Sequence, residues 1–216
     1  MPWPKEHKSQ TRARIVAAAA TALRAKGVGG VSLADIMATV KLTHGGFYAH
    51  FQSKDDLLAK ALDHASRQTL KGLSGSPDSA PATRHLWKVV DAYLSPWHAA
   101  HPELGCPVAA VGPEIARADG TMRRKLRRGI RERLHLVRGL IPGNGRTESG
   151  ERQAVGVLAC MVGGLILARV VGGKESAVLL EACRGFLRSA LDDSPAVSIA
   201  PSAPRTERAL RRRSLS

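Results

Sequence analysis

From Gln10 to Leu191 apolar residues return every three or four positions, and no stretch shows the period-two alternation that a half-buried strand requires. Such a chain is built from helices, and the expected fold class is all-α with about nine of them. Gln10–Lys26 carries Ile15, Ala19, Ala22 and Leu23 on one face, and Gly27 supplies a stop. Ser32 with Asp35 resembles a capping box and opens a two-turn helix with Leu33, Ile36, Met37 and Val40 inward. After a break at Lys41-Leu42, Thr43 is placed to cap a short helix through His50. Ser53 caps a fourth helix, which faces Leu57, Leu58, Ala61, Leu62 and Ala65 to the core. Gly, Ser and Pro dominate residues 72–81, which reads as a linker. Five further helices are expected: Ala82–Ala100, Val108–Ala118, Thr121–Leu140, Thr147–Val171 and Glu175–Leu191. On the third of these, Met122, Leu126, Ile130, Leu134, Val137 and Ile141 form the apolar stripe. Residues 192–216, rich in Ser, Pro and Arg, are expected to be disordered.

Charge narrows the partners. The 216 residues hold 33 Lys+Arg against 18 Asp+Glu, a net charge of +15. Residues 1–51 hold seven basic and two acidic residues, and residues 119–138 eight and two. A polyanion, first of all double-stranded DNA, suits this surplus, and an anionic membrane surface is the second candidate. The longest uncharged apolar run, Ala154–Ala168, has 15 residues, short of the roughly 18 a bilayer span needs, so a buried core helix is expected and no membrane partner. Cys106, Cys160 and Cys183 are too few for a disulfide framework, and the first residues have no apolar leader, so a reducing, cytoplasmic setting is expected.

The chemistry is most legible in residues 32–51. A supporting helix followed by two short helices across a tight turn is a helix-turn-helix, whose last helix lies in the major groove. That helix holds Thr43-His44-Gly45-Gly46-Phe47-Tyr48-Ala49-His50-Phe51. Adjacent glycines disfavour a helix by up to ~1 kcal/mol each relative to Ala, a poor choice for a core element. They suit a helix start that must approach base edges closely. Thr43 and His44 offer hydrogen bonds there, Phe47 and Phe51 anchor the opposite face, and Tyr48 can reach a phosphate. Lys54, in the first turn of the next helix, suits a phosphate oxygen.

These residues resemble the TetR (tetracycline-repressor-like) family of transcriptional regulators. The resemblance rests on Thr11, Ile15, Ala17–Ala20, Leu23, Gly27, Ser32–Ile36, Leu42–Phe51, Ser53-Lys54 and Leu57-Leu58, about 50 residues without a gap. Met37 stands where alanine is common, and Leu42 where valine or isoleucine is. A weaker likeness to one branch runs through Gly105–Ala110 with Glu114, and through Gly163–Arg169. The resemblance implies a homodimeric repressor with a DNA-binding domain over 1–52 and an effector-binding, dimerising domain over 53–191. Ligand binding in the second half would release a palindromic operator. It also implies Thr43, His44, Gly45, Gly46 and Tyr48 on DNA, with Ser32 and Lys54 on phosphates.

In the second half each feature carries two readings. Gly156, Ala159, Cys160, Gly163 and Gly164 form a small-residue stripe for a dimer interface or for a close contact within the chain. Trp97, Met122 and Met161, with Cys106, are candidates to line an effector pocket, Trp87 is another, and each is alternatively plain core. Cys106 is a thiol sensor or a small buried residue at a helix start. His98 and His101 hint at a metal, but a full ligand set is missing, so no metal and no cofactor are expected. Arg123, Arg124, Lys125, Arg127, Arg128, Arg131 and Arg133 are expected opposite their helix's apolar stripe, as a solvated face or an auxiliary nucleic-acid surface. Arg211-Arg212-Arg213 could add non-specific DNA affinity. No catalytic triad order, phosphate loop or dinucleotide fingerprint is present, so an enzyme is not expected. The rival reading is a sequence-tolerant architectural DNA-binding protein.

Overall fold

The computed structural model describes residues 5–74, 82–118, 120–141 and 147–192. Of the linker expected at 72–81, residues 72–74 instead continue the helix that begins at Lys54, and 75–81 lie outside the described residues, as do 142–146 and the tail after 192. Among the described residues the fold is all-α, with nine helices and no strand: α1 Lys5–Lys26, α2 Leu33–Thr39, α3 Lys54–Ser74, α4 Ala82–Tyr93, α5 Pro96–Ala100, α6 Pro107–Ala116, α7 Thr121–Leu140, α8 Glu148–Val171 and α9 Gly173–Asp192. Two 3-10 turns, His44–Ala49 and Pro102–Leu104, complete it.

Local chemistry sets most boundaries. The Ser32 hydroxyl accepts from the Asp35 amide at 3.3 Å, and the Ser53 hydroxyl from the Asp56 amide at 3.1 Å. Only half of the capping box forms at α2, because the Asp35 carboxylate turns to Lys26 Nζ, 3.3 Å away. The single helix expected over Ala82–Ala100 is broken. Ser95 caps α5 by accepting from the His98 amide at 3.1 Å, and Pro96 occupies the first turn, where its missing N–H is no loss.

α3 packs against both α1 and α7. Two apolar clusters result. The first joins Ile15, Ala19, Leu23, Ile36, Met37, Phe47 and Phe51 with Leu57, Leu58, Ala61 and Leu62 of α3, and reaches Ile115, Met122 and Leu126. The second gathers Leu86, Val90, Tyr93, Leu94, Cys106, Val137, Met161, Leu165, Leu180 and Leu187. The head made by α1, α2 and the 44–49 turn therefore shares its core with α3, α6 and α7.

α7 is rotated from the stripe read in sequence. Its buried line is Met122, Leu126, Gly129, Arg133 and Val137, while Ile130 and Leu134 move to the flanks. Arg133 thus leaves the solvated face expected for it: its side chain is wholly buried.

Candidate nucleic-acid interface

The turn between α2 and the 44–49 segment is held from both sides. Lys41 adopts φ 59°, a left-handed conformation a non-glycine residue rarely takes, and the Leu42 amide returns to the Met37 carbonyl at 2.9 Å. Arg14 Nη2 donates to the Val40 carbonyl at 3.0 Å, tying the turn to α1.

The segment beyond this turn has one side in the core and one side in solvent. Phe47 and Phe51 are buried and stacked with centroids 5.6 Å apart, and the Arg12 guanidinium lies 4.8 Å above the Phe51 ring. Tyr48, next in sequence to the fully buried Phe47, is 66% exposed. Thr43, His44 and Gly45 are exposed beside it, and Gly46 is half-buried. The segment winds as a 3-10 helix and not as the α-helix expected, a tighter coil used in short pieces. Thr43 occupies the cap position, yet its hydroxyl makes no cap hydrogen bond. A Cβ on Gly45 would meet nothing within 4 Å, and one on Gly46 would make only ordinary contacts at 3.8 Å. Neither glycine has a positive φ. Packing within the chain therefore does not require this pair.

The remaining DNA candidates stand at the edge of the same surface. Ser32 is half-buried with its hydroxyl engaged as the α2 cap. Lys54 begins α3, and the Asp55 and Asp56 carboxylates of that first turn reduce its positive potential. Lys60 pairs with Asp56. Burial, with Lys8 and Arg12 nearby, lowers the pKa of His50.

The head is fastened to the half behind it by two polar contacts that sequence reasoning did not anticipate. Glu114 on α6 accepts from the Val28 amide at 2.8 Å, and a Cβ on Gly27, at φ +74°, would stand 2.5 Å from that carboxylate. Arg24 on α1 is buried and donates to the Gly105 carbonyl at 3.3 Å and to Gln68 at 3.2 Å. The carboxylate of Glu114 was visible as an outlier in an apolar segment, but its partner is a backbone amide 86 positions away.

The candidate effector residues are not gathered into one pocket. Trp97 is exposed at 58%, contrary to a lining role, and stacks on His101 at 4.5 Å. Met122 belongs to the first apolar cluster, while Met161 and Cys106 belong to the second. An open cavity of about 310 Å³ lies instead between α7 and α8, lined by Arg131, Leu134, His135, Arg138, Glu151, Ala154 and Val155, and spanned by the Arg138–Glu151 pair at 2.9 Å. Trp87 lies half-buried under Arg188. Cys106 is fully buried at the start of α6, with its amide donating to His98 Nε2 at 3.1 Å. His98 Nδ1 in turn bonds the Tyr93 carbonyl at 2.7 Å. The two bonds fix the neutral tautomer with the proton on Nδ1, and burial lowers the pKa of this ring. His98 is a bridge between backbone groups, and among the described residues no three His, Cys, Asp or Glu converge as a metal set.

The small-residue stripe of α8 divides. A Cβ on Gly164 would stand 2.7 Å from Cys183 Sγ, and Cys160 also faces Cys183, so these two serve the contact with α9 inside the chain. Burial, with Cys183 beside it, pushes the Cys160 thiol up to about 11. Gly156 and Gly163 face open space. Around them Val155, Leu167, Val170 and Val171 of α8, with Val178 and Phe186 of α9, are exposed. α8 is long and apolar enough to cross a bilayer by length and composition, with mean hydropathy 2.3. One side of it is nonetheless packed against α7 and α9, and Arg169 near its end donates to the His98 and Ala99 carbonyls. Of the α7 cations, Lys125 and Arg128 pair with Asp63 of α3, while Arg123, Arg124 and Arg127 surround an open recess with Gly120.

Comparison with known proteins agrees with this architecture. Residues 15–61 match the model of the bacterial regulatory proteins of the tetR family. The HTH-type transcriptional regulator TtgR of Pseudomonas putida is 38% identical over 76 residues, which are 34% of this chain; the match spans only 36% of that relative's length. A TetR transcriptional regulator from Chloroflexus aurantiacus superposes with a TM-score of 0.75 at 27% identity, over 88% of this chain and 98% of that one. The reduced form of NemR from E. coli has the same fold, with a TM-score of 0.72 at 21% identity over 87% and 100% of the two chains. A head motif matched in sequence and a whole-chain architecture matched in space thus lead to one assignment: residues 15–61 form a head of the tetR type, carried on a chain with the fold of TetR regulators.

Proposed function

We propose that this protein is a sequence-specific DNA-binding transcriptional regulator, acting in the cytoplasm as a homodimeric repressor that leaves a palindromic operator when a small effector binds its rear half. The observation that carries the reading is the two-sided 44–49 turn. Phe47 and Phe51 hold it in the core while Thr43, His44, Gly45 and Tyr48 stand in solvent. Nothing among the described residues needs the glycine pair, so a surface brought from outside, a base edge in the major groove, is the reason for it. Ser32 and Lys54 would sit on phosphates, and the cations of the head supply attraction that does not depend on sequence.

Dimerisation is supported by the apolar surface of α8 and α9. A helix apolar on every side calls for cover on every side, and one side of α8 has none among the described residues. Two copies meeting there would bury Gly156 and Gly163 and place two heads on one duplex, with half-sites about 34–36 Å apart. Glu114 and Arg24 fasten each head to its rear half, so a rearrangement behind the head would shift its position.

Selection of bound duplexes from a random pool tests the reading. A recovered inverted repeat supports it. Equal recovery of all sequences contradicts it and favours a coating protein, the reading that the +15 charge alone would suggest.

A further inference from the structure

Where α7 packs on α3 and α4 lies a layer of buried polar side chains with too few acceptors. Arg133 of α7 is 0% exposed. Its Nη1 donates to the Gly129 carbonyl at 2.8 Å and its Nη2 reaches the Ser66 carbonyl at 3.5 Å, while Nε has no partner. Among the described residues no carboxylate pairs with it. Ser66 Oγ of α3 and Tyr93 Oη of α4 are likewise buried and unpartnered. The Ser66 hydroxyl and Arg133 Nη1 both crowd Gly129, where a Cβ would meet them at 3.0 and 2.9 Å. The Tyr93 hydroxyl stands beside the Cys106 thiol, within the fields of Arg133 and Arg169, too poorly placed for a well-formed hydrogen bond. Arg24 Nε, also buried and unpartnered, lies at the head side of the same seam. The acidic group that acts on this region is Glu103, half-buried on the 102–104 turn, and it acts on Arg24 and Arg169.

Arg Nε–H can only donate, and the two hydroxyls are free to donate with it, so the missing component is an acceptor carrying negative charge. A buried guanidinium without a counter-charge is strongly unfavourable unless something supplies one. We propose that this layer, with Arg133 at its centre and Ser66 and Tyr93 beside it, is the binding site of a small organic monoanion of the carboxylate class. The inference rests on the proposed effector role of the rear half and names the chemistry of that effector. A carboxylate is planar and matches the fork of Arg133, and it would accept from Tyr93 Oη at the same time. The layer touches α3, α4 and α7, and α3 also carries part of the head's core, so filling it changes how the helices behind the head meet.

The test uses the full chain at constant ionic strength. Thermal unfolding and calorimetric titration are followed with sodium acetate, hexanoate and benzoate, each against its primary amide. The expected result is a concentration-dependent rise in Tm with at least one carboxylate and none with its amide. Arg133→Met, close in length and free of charge, should keep its helicity and lose binding by tenfold or about that. Arg133→Lys, a second variant in case the first fails to fold, should retain part of the response. Tyr93→Phe should weaken binding less than Arg133→Met does. Equal response to acid and amide, undiminished binding by Arg133→Met or Arg133→Lys, or no response to any of the three acids overturns the proposal. Duplex binding is measured in parallel. A carboxylate that binds without releasing DNA upholds the site and contradicts the effector role, whereas intact duplex binding with no carboxylate response contradicts the site alone.

Discussion

In the head, the polar groups without partners inside the chain stand on the surface; in the rear half they stand in the interior. Thr43, His44 and Tyr48 are outside a turn whose inner side is aromatic core, with His50 Nδ1 and Arg24 Nε the buried exceptions. Behind the head, Arg133 Nε, Ser66 Oγ and Tyr93 Oη are buried with no partner among the described residues. The difference fits two kinds of recognition. A duplex is met by a rigid surface that the chain holds out, and a small molecule by groups enclosed between helices. A hydrogen bond accepted by Glu114 and one donated by Arg24 join the two arrangements.

The largest effect expected separates neighbours in the turn. Phe47→Ala should lower stability by about 3–5 kcal/mol, because it empties a fully buried aromatic site. Tyr48→Ala should leave Tm nearly unchanged and weaken DNA binding. Urea unfolding and duplex titration of both variants check the pair, and a large loss of stability in Tyr48→Ala would undo the two-sided description. At the junction, Glu114→Ala leaves the Val28 amide without its acceptor and should cost about 1–3 kcal/mol. It should also reduce the effect of any effector on DNA affinity, measured by duplex titration with and without the effector.

The rear half should respond to acid. Because the pKa of His98 is lowered in the folded state, the unfolded chain takes up the proton first as pH falls. The stability contributed by neutral His98 is present above the unfolded value of about 6.5 and declines as pH falls below it, towards the lower folded value. Tm should therefore drop between pH 7 and 5. His98→Gln should flatten the drop in part, since the pKa values of His50 and His64 are lowered too. An unchanged profile would remove His98 from the account. The smallest effect belongs to Lys41→Gly, which relieves the left-handed backbone of the turn and should stabilise by ~0.5 kcal/mol, read as a slight rise in Tm.

The head was more legible in sequence than the rear for a physical reason. Its core forms between elements close in the chain, so Ile15, Leu23, Ile36, Phe47 and Leu57 announce themselves by spacing alone, and all are buried. Capping by Ser32 and Ser53 is local in the same way. The rear is assembled by contacts across long stretches of chain. Reading α7 by its apolar residues put Ile130 and Leu134 in the stripe and Arg133 in solvent. The approach of α3 at Gly129 turns the helix so that Arg133 lies inside. Trp97 suggested a pocket by its size, yet the break at Ser95-Pro96 carries it to the surface. A glycine that admits a neighbouring helix looks the same in sequence as one that faces solvent, and so Gly164 and Gly156 could not be told apart.

The claim that the 44–49 turn reads bases is tested most directly by the affinity ratio between a selected inverted repeat and a scrambled duplex of equal length, measured for the unaltered protein and for His44→Ala. The account predicts that His44→Ala lowers this ratio about tenfold, within the range of one lost base contact, while affinity for the scrambled duplex stays the same. Equal loss on both duplexes would contradict it.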